Sequence, residues 1–373
     1  MRNKIYYDVI IVGGGPAGST AAYQLNKLGY DVLLLDKKEF PRPKLCGGLI
    51  TQKTLNILLD IFDFKLSDLK SQGIIDYVAE SYQIYYKDKL ITTNNLENEF
   101  NLVKRIQYDN YLFNLAKQSG VKVIDGIKVI GINFASNTVK TEKGKEYTSR
   151  FIIGADGVNS IVRKQMIDKI NTKQIQHIKK GEALAIETLV PRNKISRNID
   201  SPIIYFGIIN YGYGWIFPKS DSLTIGLGGL QNKNENFIDI FNDFLKLLNL
   251  QDYKINKKGW YIPFGNFLKA PIYKNTFLIG DAANLADPLT GEGIYYAHKS
   301  AQIATEVIDK KEKVSINHVE EYKKRINNEI ILNLNRAKFY RNLLWGTPDI
   351  LQRLLIRVSS KYFHKKITMM IQE

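Results

Sequence analysis

Three forms of hydrophobic pattern recur along the chain. Tyr6–Val12, a continuous β-branched run bounded by glycine, predicts a buried parallel strand, and the short apolar runs Asp31–Leu35, Phe151–Ile153 and Phe277–Ile279, each followed by glycine or acid, predict further strands. Helical character runs from Ser19 to Leu28, with Gly29 as a natural C-cap, and again from Tyr295 to Ile308. Strict alternation marks Tyr213, Trp215 and Phe217 against Gly214 and Ile216, so one face of a strand presents three aromatics. Lys219-Ser220-Asp221 then turns the chain, and Leu223 to Gly228 returns as the partner strand. No stretch approaches the length of apolar residues that spans a bilayer, so no membrane span is expected. The first apolar run, Val9 to Val12, is too short for a signal-peptide core, and a cytoplasmic location is expected.

The 373 residues allow about two domains at roughly 150 residues each. Lys and Arg number 53 against 37 Asp and Glu, a net charge of +16 that favours polyanionic neighbours: nucleic acid, anionic lipid or phosphorylated ligands. A single cysteine, Cys46, excludes an intramolecular disulfide and a zinc site built from several thiolates, and no metal site is expected. It fits a reducing compartment.

The glycines after the first strand carry the strongest chemical signal. Tyr6–Val12 runs into Gly13-Gly14-Gly15-Pro16-Ala17-Gly18, then helix, then a second strand that ends at Asp36. Strand, G-x-G-x-x-G, helix, strand, acid is a dinucleotide-binding unit. Gly13 makes the tight turn, Gly15 lets a pyrophosphate approach the backbone, and Gly18 lets helix and strand pack closely. The N–H groups at the helix start, Ala17 among them, hold the phosphates. Asp36 lies 18 residues past Gly18, where a carboxylate accepts hydrogen bonds from a ribose. The fingerprint alone does not separate NAD from FAD. No second G-x-G-x-x-G follows a strand, since Gly226-Leu227-Gly228-Gly229 lacks the third glycine. Electrons are therefore expected from NAD(P)H visiting transiently or from a partner protein.

Two later segments point to FAD. Phe151-Ile152-Ile153-Gly154-Ala155-Asp156-Gly157 is a strand running into a turn, with Arg163 shortly after. Phe277-Leu278-Ile279-Gly280-Asp281 is a strand ending in an acid that can meet a ribityl chain. It continues through Pro288-Leu289-Thr290-Gly291-Glu292-Gly293-Ile294 to a helix start that offers N–H groups to the electron-rich edge of a flavin. With these segments the sequence resembles the FAD-dependent oxidoreductases of the glutathione-reductase-like Rossmann group. The resemblance implies that Asp281 meets the ribityl chain and that Gly293 and Ile294 lie at the isoalloxazine, with Pro288 and Gly291 also among the cofactor-binding residues. It also places Asp156, Gly157 and Arg105 at the cofactor and the backbone of Val129 at adenine. Without the resemblance, Arg105 fits a surface salt bridge, and Asp156 fits a turn residue that supports the fold.

Pro41-Arg42-Pro43-Lys44-Leu45-Cys46-Gly47-Gly48, Tyr213-Gly214-Trp215-Ile216-Phe217-Pro218 and Gly291-Glu292-Gly293-Ile294 look like the geranylgeranyl reductase family. That resemblance implies an FAD-dependent reductase that saturates carbon–carbon double bonds in a polyprenyl group on a lipid, a diphosphate or a quinone. Hydride would come from flavin N5 and a proton from a donor the sequence does not identify. Arg42 and Lys44 offer charge to phosphates, and Gly47 and Gly48 let backbone lie against a flat ring. Cys46 is either a small buried hydrophobe or a site residue that contacts flavin, positions substrate or donates a proton. Cys46 and Tyr213 are the candidate catalytic residues. Tyr213, Trp215 and Phe217 either line an apolar tunnel for substrate or pack the sheet core. Two rivals stand beside this reading: a flavin-dependent monooxygenase or halogenase, and a non-catalytic flavin-binding protein of a membrane surface.

The expected fold is α/β. A Rossmann-type FAD-binding domain is assembled from residues 1–75, 100–170 and 271–315, with an inserted sheet-rich substrate domain of 76–99 and 171–270 and a helical C-terminal segment, 316–373. Residues 336–373 carry Arg336, Lys338, Arg341, Arg353, Arg357, Lys361, Lys365 and Lys366 against Asp349 and Glu373. Ile350, Leu351, Leu354, Leu355 and Val358 share one helical face. Such a helix lies on an anionic membrane surface or docks on the body with a solvated basic face. No recognised nucleic-acid motif accompanies the charge, and no nucleic-acid partner is expected. The expected partners are a prenylated lipid or prenyl diphosphate and an external electron donor.

Overall fold

The computed structural model describes residues 5–170, 182–195, 198–251, 257–268, 270–314 and 316–357. The chain divides into two compact units. The first comprises Met1–Arg42, Ile106–Gly181 and Pro263–Ala337, and the second Pro43–Arg105, Glu182–Ile262 and Lys338–Glu373. Residues 43–75 belong with the second unit because strand Leu49–Ile50 pairs there with Lys89–Leu102. The C-terminal segment is shared, 316–337 going to the first unit and 338 onward to the second.

In the first unit, strands Thr276–Leu278, Glu146–Gly154, Ile5–Val12, Val32–Leu35 and Lys122–Ile124 lie side by side in that order, all parallel. Val9, Ile10 and Ile11 are fully buried, as are Leu33, Leu34 and Leu35. That is why these strands read as unbroken apolar runs. Helix Pro16–Lys27 contributes Ala21, Ala22 and Leu25 to the same core, and helix Ile294–Val314 contributes Ala301, Ala304 and Ile308. The fingerprint helix ends at Leu28, and Gly29 follows in the left-handed region at φ +89°.

In the second unit, eight strands run in the order Lys258–Pro263, Glu182–Pro191, Ser222–Leu230, Gly212–Pro218, Ile203–Phe206, Tyr77–Tyr86, Lys89–Leu102 and Leu49–Ile50, counted among the described residues. Register sorts their side chains between two faces. Ile186, Val190, Ile216, Ile225 and Leu227 share one face and pack on Phe237, Phe241, Phe244 and Leu245 of helix Phe237–Leu247. Those helical residues recur at the spacing of an amphipathic stripe. Tyr213, Trp215 and Phe217 stand on the opposite face. The helix-packed core is therefore not what the aromatic stripe serves.

Part of the C-terminal segment is anchored within the second unit. The Trp345 indole N–H donates to the Gly212 carbonyl at 3.0 Å, and Lys87 pairs with Asp349 at 3.0 Å. The chain is helical from 349 to 357. Val358, Lys361, Lys365 and Lys366 lie outside the described residues.

Phe241 is fully buried between helix and sheet. Phe241→Ala is expected to cost about 3–5 kcal/mol of stability, measured as a fall in urea midpoint at unchanged slope.

Candidate functional site

The first unit gathers the three cofactor-type segments. A Cβ on Gly13, which sits at φ +108°, would lie 2.3 Å from the Ala155 carbonyl oxygen, and one on Gly18 would lie 1.7 Å from that of Gly13. Only glycine allows the Gly13–Gly18 turn to close on itself and on the Ala155-Asp156 turn. Gly280 brings in the third segment, since a Cβ there would meet Ala17 at 3.1 Å and Ala297 at 3.5 Å. Asp281 and Gly293 come together as well, a Gly293 Cβ falling 3.3 Å from Asp281 Oδ1. Ile294 opens the helix Ile294–Val314, which has no acidic residue in its first turn.

The fingerprint turn fits a dinucleotide. Gly15 caps helix Pro16–Lys27 without a side-chain hydrogen bond, and no acid occupies the first turn, so N–H groups are left for phosphate. A Cβ on Gly15 would approach only Arg42 Nη2, at 3.4 Å. Arg42 Nε is buried without a partner among the described residues. The Arg42 guanidinium lies over the Phe40 ring at 4.7 Å, 3.7 Å from Asp36 and 3.6 Å from Asp109. Asp36 is itself bound to the turn, accepting from the N–H of Gly14 at 2.7 Å and of Lys38 at 2.8 Å. Its carbonyl accepts from Ile127 N–H at 2.9 Å, which holds the stretch before the buried Val129 at the end of the second strand.

Asp156 has work inside the fold. Its carboxylate accepts from the Ser160 hydroxyl and from the N–H of Ile161 at 2.7 Å, at the start of helix Ile161–Ile170. Burial pushes its carboxyl up, against the pull of those donors. Gly157 beside it faces open space. Three features went unassigned in the sequence. Arg163 donates to the carbonyls of Asp281 and Ala282, both at 3.0 Å, and so holds the Asp281 turn. Asp287 Oδ1 accepts from Leu289 and Thr290 N–H, both at 2.8 Å, and shapes the Pro288–Gly291 loop as an Asx-type turn. His298, fully buried, bridges Thr20 at 2.7 Å and Tyr108 at 2.7 Å, which ties the fingerprint helix to two others. The D-P-L-T-G run carried a legible signal for Asp287. Nothing local marked His298.

The remaining candidates lie in the second unit, and several cluster there. Gly47 lies flat on Phe217, whose ring a Cβ would meet at 2.3 Å. Gly48, at φ +73°, would collide with the Val103 carbonyl at 2.1 Å. Lys219 Nζ donates to the Gly47 carbonyl at 2.7 Å. Cys46 is half-buried, and its N–H donates to Glu187 Oε1 at 2.9 Å. Lys44 sits over Trp260 at 4.6 Å. Arg105, nearly buried, is close enough to act electrostatically on Glu187. Tyr213 is one step along the aromatic row, its ring 5.9 Å from Trp215 and 6.2 Å from Phe206.

Glu187 and Lys219 were not singled out in the sequence, yet both are buried charges of this cluster, 8% and 3% exposed. Burial raises the Glu187 carboxyl to about 7, opposed by the Cys46 N–H and by Lys219, Arg105 and Lys44. Burial lowers Lys219 to about 8, opposed by Cys46, Asp76 and Glu187. Glu187 Oε2 and Trp215 Nε1 are both buried with no partner among the described residues.

Residues 6–195 match a family model described as an FAD binding domain. An uncharacterised protein of Methanosarcina barkeri is 34% identical, with 91% of this chain and 84% of that one covered. The digeranylgeranylglycerophospholipid reductase of Methanococcus vannielii is 30% identical over 82% of this chain and 77% of its own. Among solved structures, a geranylgeranyl bacteriochlorophyll reductase-like protein from Thermoplasma acidophilum superposes with a TM-score of 0.80 at 22% identity, covering 95% and 91% of the two chains. A flavin-dependent halogenase shares the fold at TM-score 0.74 and 18% identity, covering 98% and 72%.

Gly18→Ala is expected to yield protein without the yellow flavin absorbance and with a lowered Tm, because the new methyl occupies the Gly13 carbonyl. The second expectation concerns pH. A carboxyl whose folded pKa exceeds its unfolded value favours folding when protonated, so stability falls as pH rises from 4.5 to about 7. Across that window the wild type should lose on the order of 3 kcal/mol relative to Glu187→Gln, read from denaturant unfolding at stepped pH. Parallel curves for the two proteins refute it.

Proposed function

The chain belongs to the geranylgeranyl reductase family of FAD-dependent oxidoreductases, and we propose that it saturates carbon–carbon double bonds of a polyprenyl chain carried on a lipid, a diphosphate or a quinone. The observation that carries this reading is the second face of the second unit's sheet. Tyr213, Trp215 and Phe217 stand beside Gly228, Gly226 and Thr224 of the neighbouring strand, an aromatic row next to nearly bare backbone. Ile204, Ile84 and Tyr82 extend the same face. Such a wall matches an unsaturated hydrocarbon and excludes water.

In the first unit, the turn Gly13–Gly18 with Ala17, Asp36 and Arg42 would hold the pyrophosphate and ribose of FAD. The Val129 backbone would meet adenine, and Asp156, Gly157 and Asp281 would lie along the cofactor. Pro288, Gly291, Gly293 and Ile294 would meet the flavin ring. Bound FAD supplies hydride. The second unit's side chains orient the chain, keep it dry and provide the proton. Lys44, Cys46, Gly47, Gly48 and Arg105 belong to this machinery in the same reading. Electrons come from an external donor, NAD(P)H or a redox protein.

A membrane surface is the natural source of such a substrate. Phe339, Leu343, Ile350 and Leu354 are exposed, Ile350 at 87%, with Lys338, Arg353 and Arg357 nearby in the chain. Apolar anchors with cationic neighbours suit an anionic lipid interface. Among the described residues no helix is long and apolar enough to cross a membrane.

Anaerobic incubation of dithionite-reduced protein with a panel of geranylgeranyl compounds is expected to give products heavier by multiples of two hydrogens. An oxygenated or halogenated product with a transient flavin–oxygen adduct in stopped flow would overturn the reductase reading in favour of the monooxygenase and halogenase branch.

A further inference from the structure

Adding hydride to one carbon of an isolated alkene requires a proton at the other, and no carbonyl is present to be polarised in its place. The donor has to keep its proton inside an apolar wall. The second unit places a carboxyl in that position. Glu187 is in register with Gly226, which is in register with Trp215, so the three occupy one rung on the aromatic face. Because Gly226 has no side chain, the indole crosses the rung. A Cβ there would lie 2.4 Å from Trp215 Cζ2 and 2.8 Å from Glu187 Cβ. Oε1 is engaged by the Cys46 N–H at 2.9 Å, while Oε2 is buried without a partner among the described residues. An ionised carboxylate with one oxygen left unsolvated beside aromatic rings is strongly disfavoured, whereas the acid leaves only an O–H there.

We propose that Glu187 is the proton donor of the reduction, its Oε2–H facing the prenyl chain on the Tyr213, Trp215 and Phe217 face, and that Lys219 stabilises the carboxylate left behind. This rests on the prenyl-reductase reading. The alkene π pair takes the Glu187 proton at the less substituted carbon, and the more substituted carbon takes hydride from reduced FAD. Two C–H bonds form while the π bond, the Glu187 O–H and the N5–H of the reduced flavin break. The alkene is reduced and FAD is oxidised by two electrons. The carboxylate recovers its proton from solvent, and the external donor returns the two electrons to FAD. Lys219, itself 3% exposed and anchored on the Gly47 carbonyl, provides the compensating charge together with Arg105 and Lys44. Cys46 holds the other carboxyl oxygen through its backbone, and Asp76 and Lys104 complete the charged surroundings of Lys219. At neutral pH the acid form of Glu187 is well populated, and it is lost as pH rises through about 7.

Glu187→Gln keeps the volume and an acceptor for the Cys46 N–H. With FAD retained and Tm checked, its single-turnover oxidation of reduced flavin by a geranylgeranyl substrate should be about 100-fold slower or worse, with the alkaline limb near pH 7 abolished and substrate binding little changed. Infrared titration of the wild type without substrate should show a carboxylic-acid C=O band that disappears near pH 7 and is absent in the variant. A variant rate within threefold of wild type, or a wild type with no such band above pH 6, overturns the assignment. Wild type that reduces none of the prenyl panel overturns the underlying reading instead, which separates the two failures.

Discussion

The close approach of Gly13 and Gly18 to neighbouring backbone is the contact from which the first unit is built. With no Cβ at either position, the fingerprint turn folds onto the Ala155-Asp156 turn at less than van der Waals distance for any other residue. That contact delivers the end of strand Ile5–Val12 and the start of helix Pro16–Lys27 to one point, with N–H groups uncapped. Arg163 and Asp287 then set the Asp281 turn and the loop to Gly293, both by side chains spent on backbone groups. The charge and N–H groups left over are what a dinucleotide requires.

The second unit uses the same device for a different purpose. Gly226 and Gly228 remove side chains from a strand whose neighbours carry Trp215 and Tyr213, so the aromatic row leans over bare backbone. Gly47 presents backbone to Phe217 in the same way. The result is an apolar wall with a buried carboxyl, Glu187, and a buried ammonium, Lys219, nearby. Burying either charge alone would be costly, and their opposite signs lessen that cost without removing it. The displaced titrations of both groups follow from that burial.

A flavin unit and an aromatic-faced sheet serve several chemistries, as the shared fold with halogenases illustrates. What distinguishes this chain is the joint presence of the Pro41–Gly48 and Tyr213–Pro218 stretches with relatives that act on geranylgeranyl lipids by name. Its structural counterpart is the aromatic row Tyr213, Trp215 and Phe217 beside Gly226 and Gly228.

The strands around Gly13, Asp156 and Asp281 were legible because each announces itself within a few residues: a short apolar run, then glycine or acid. The aromatic alternation at Tyr213–Phe217 was legible for the same reason, but which face the core would claim was not, since helix Phe237–Leu247 decides it from outside the pattern. Cys46, Glu187 and Lys219 come from separate parts of the chain, and nothing in their local sequence links them. The amino-acid order by itself determined the dinucleotide turn, because backbone sterics at glycine act between near neighbours. Only the tertiary structure decided which carboxyl lost its water, because strand register and burial arise from the whole sheet.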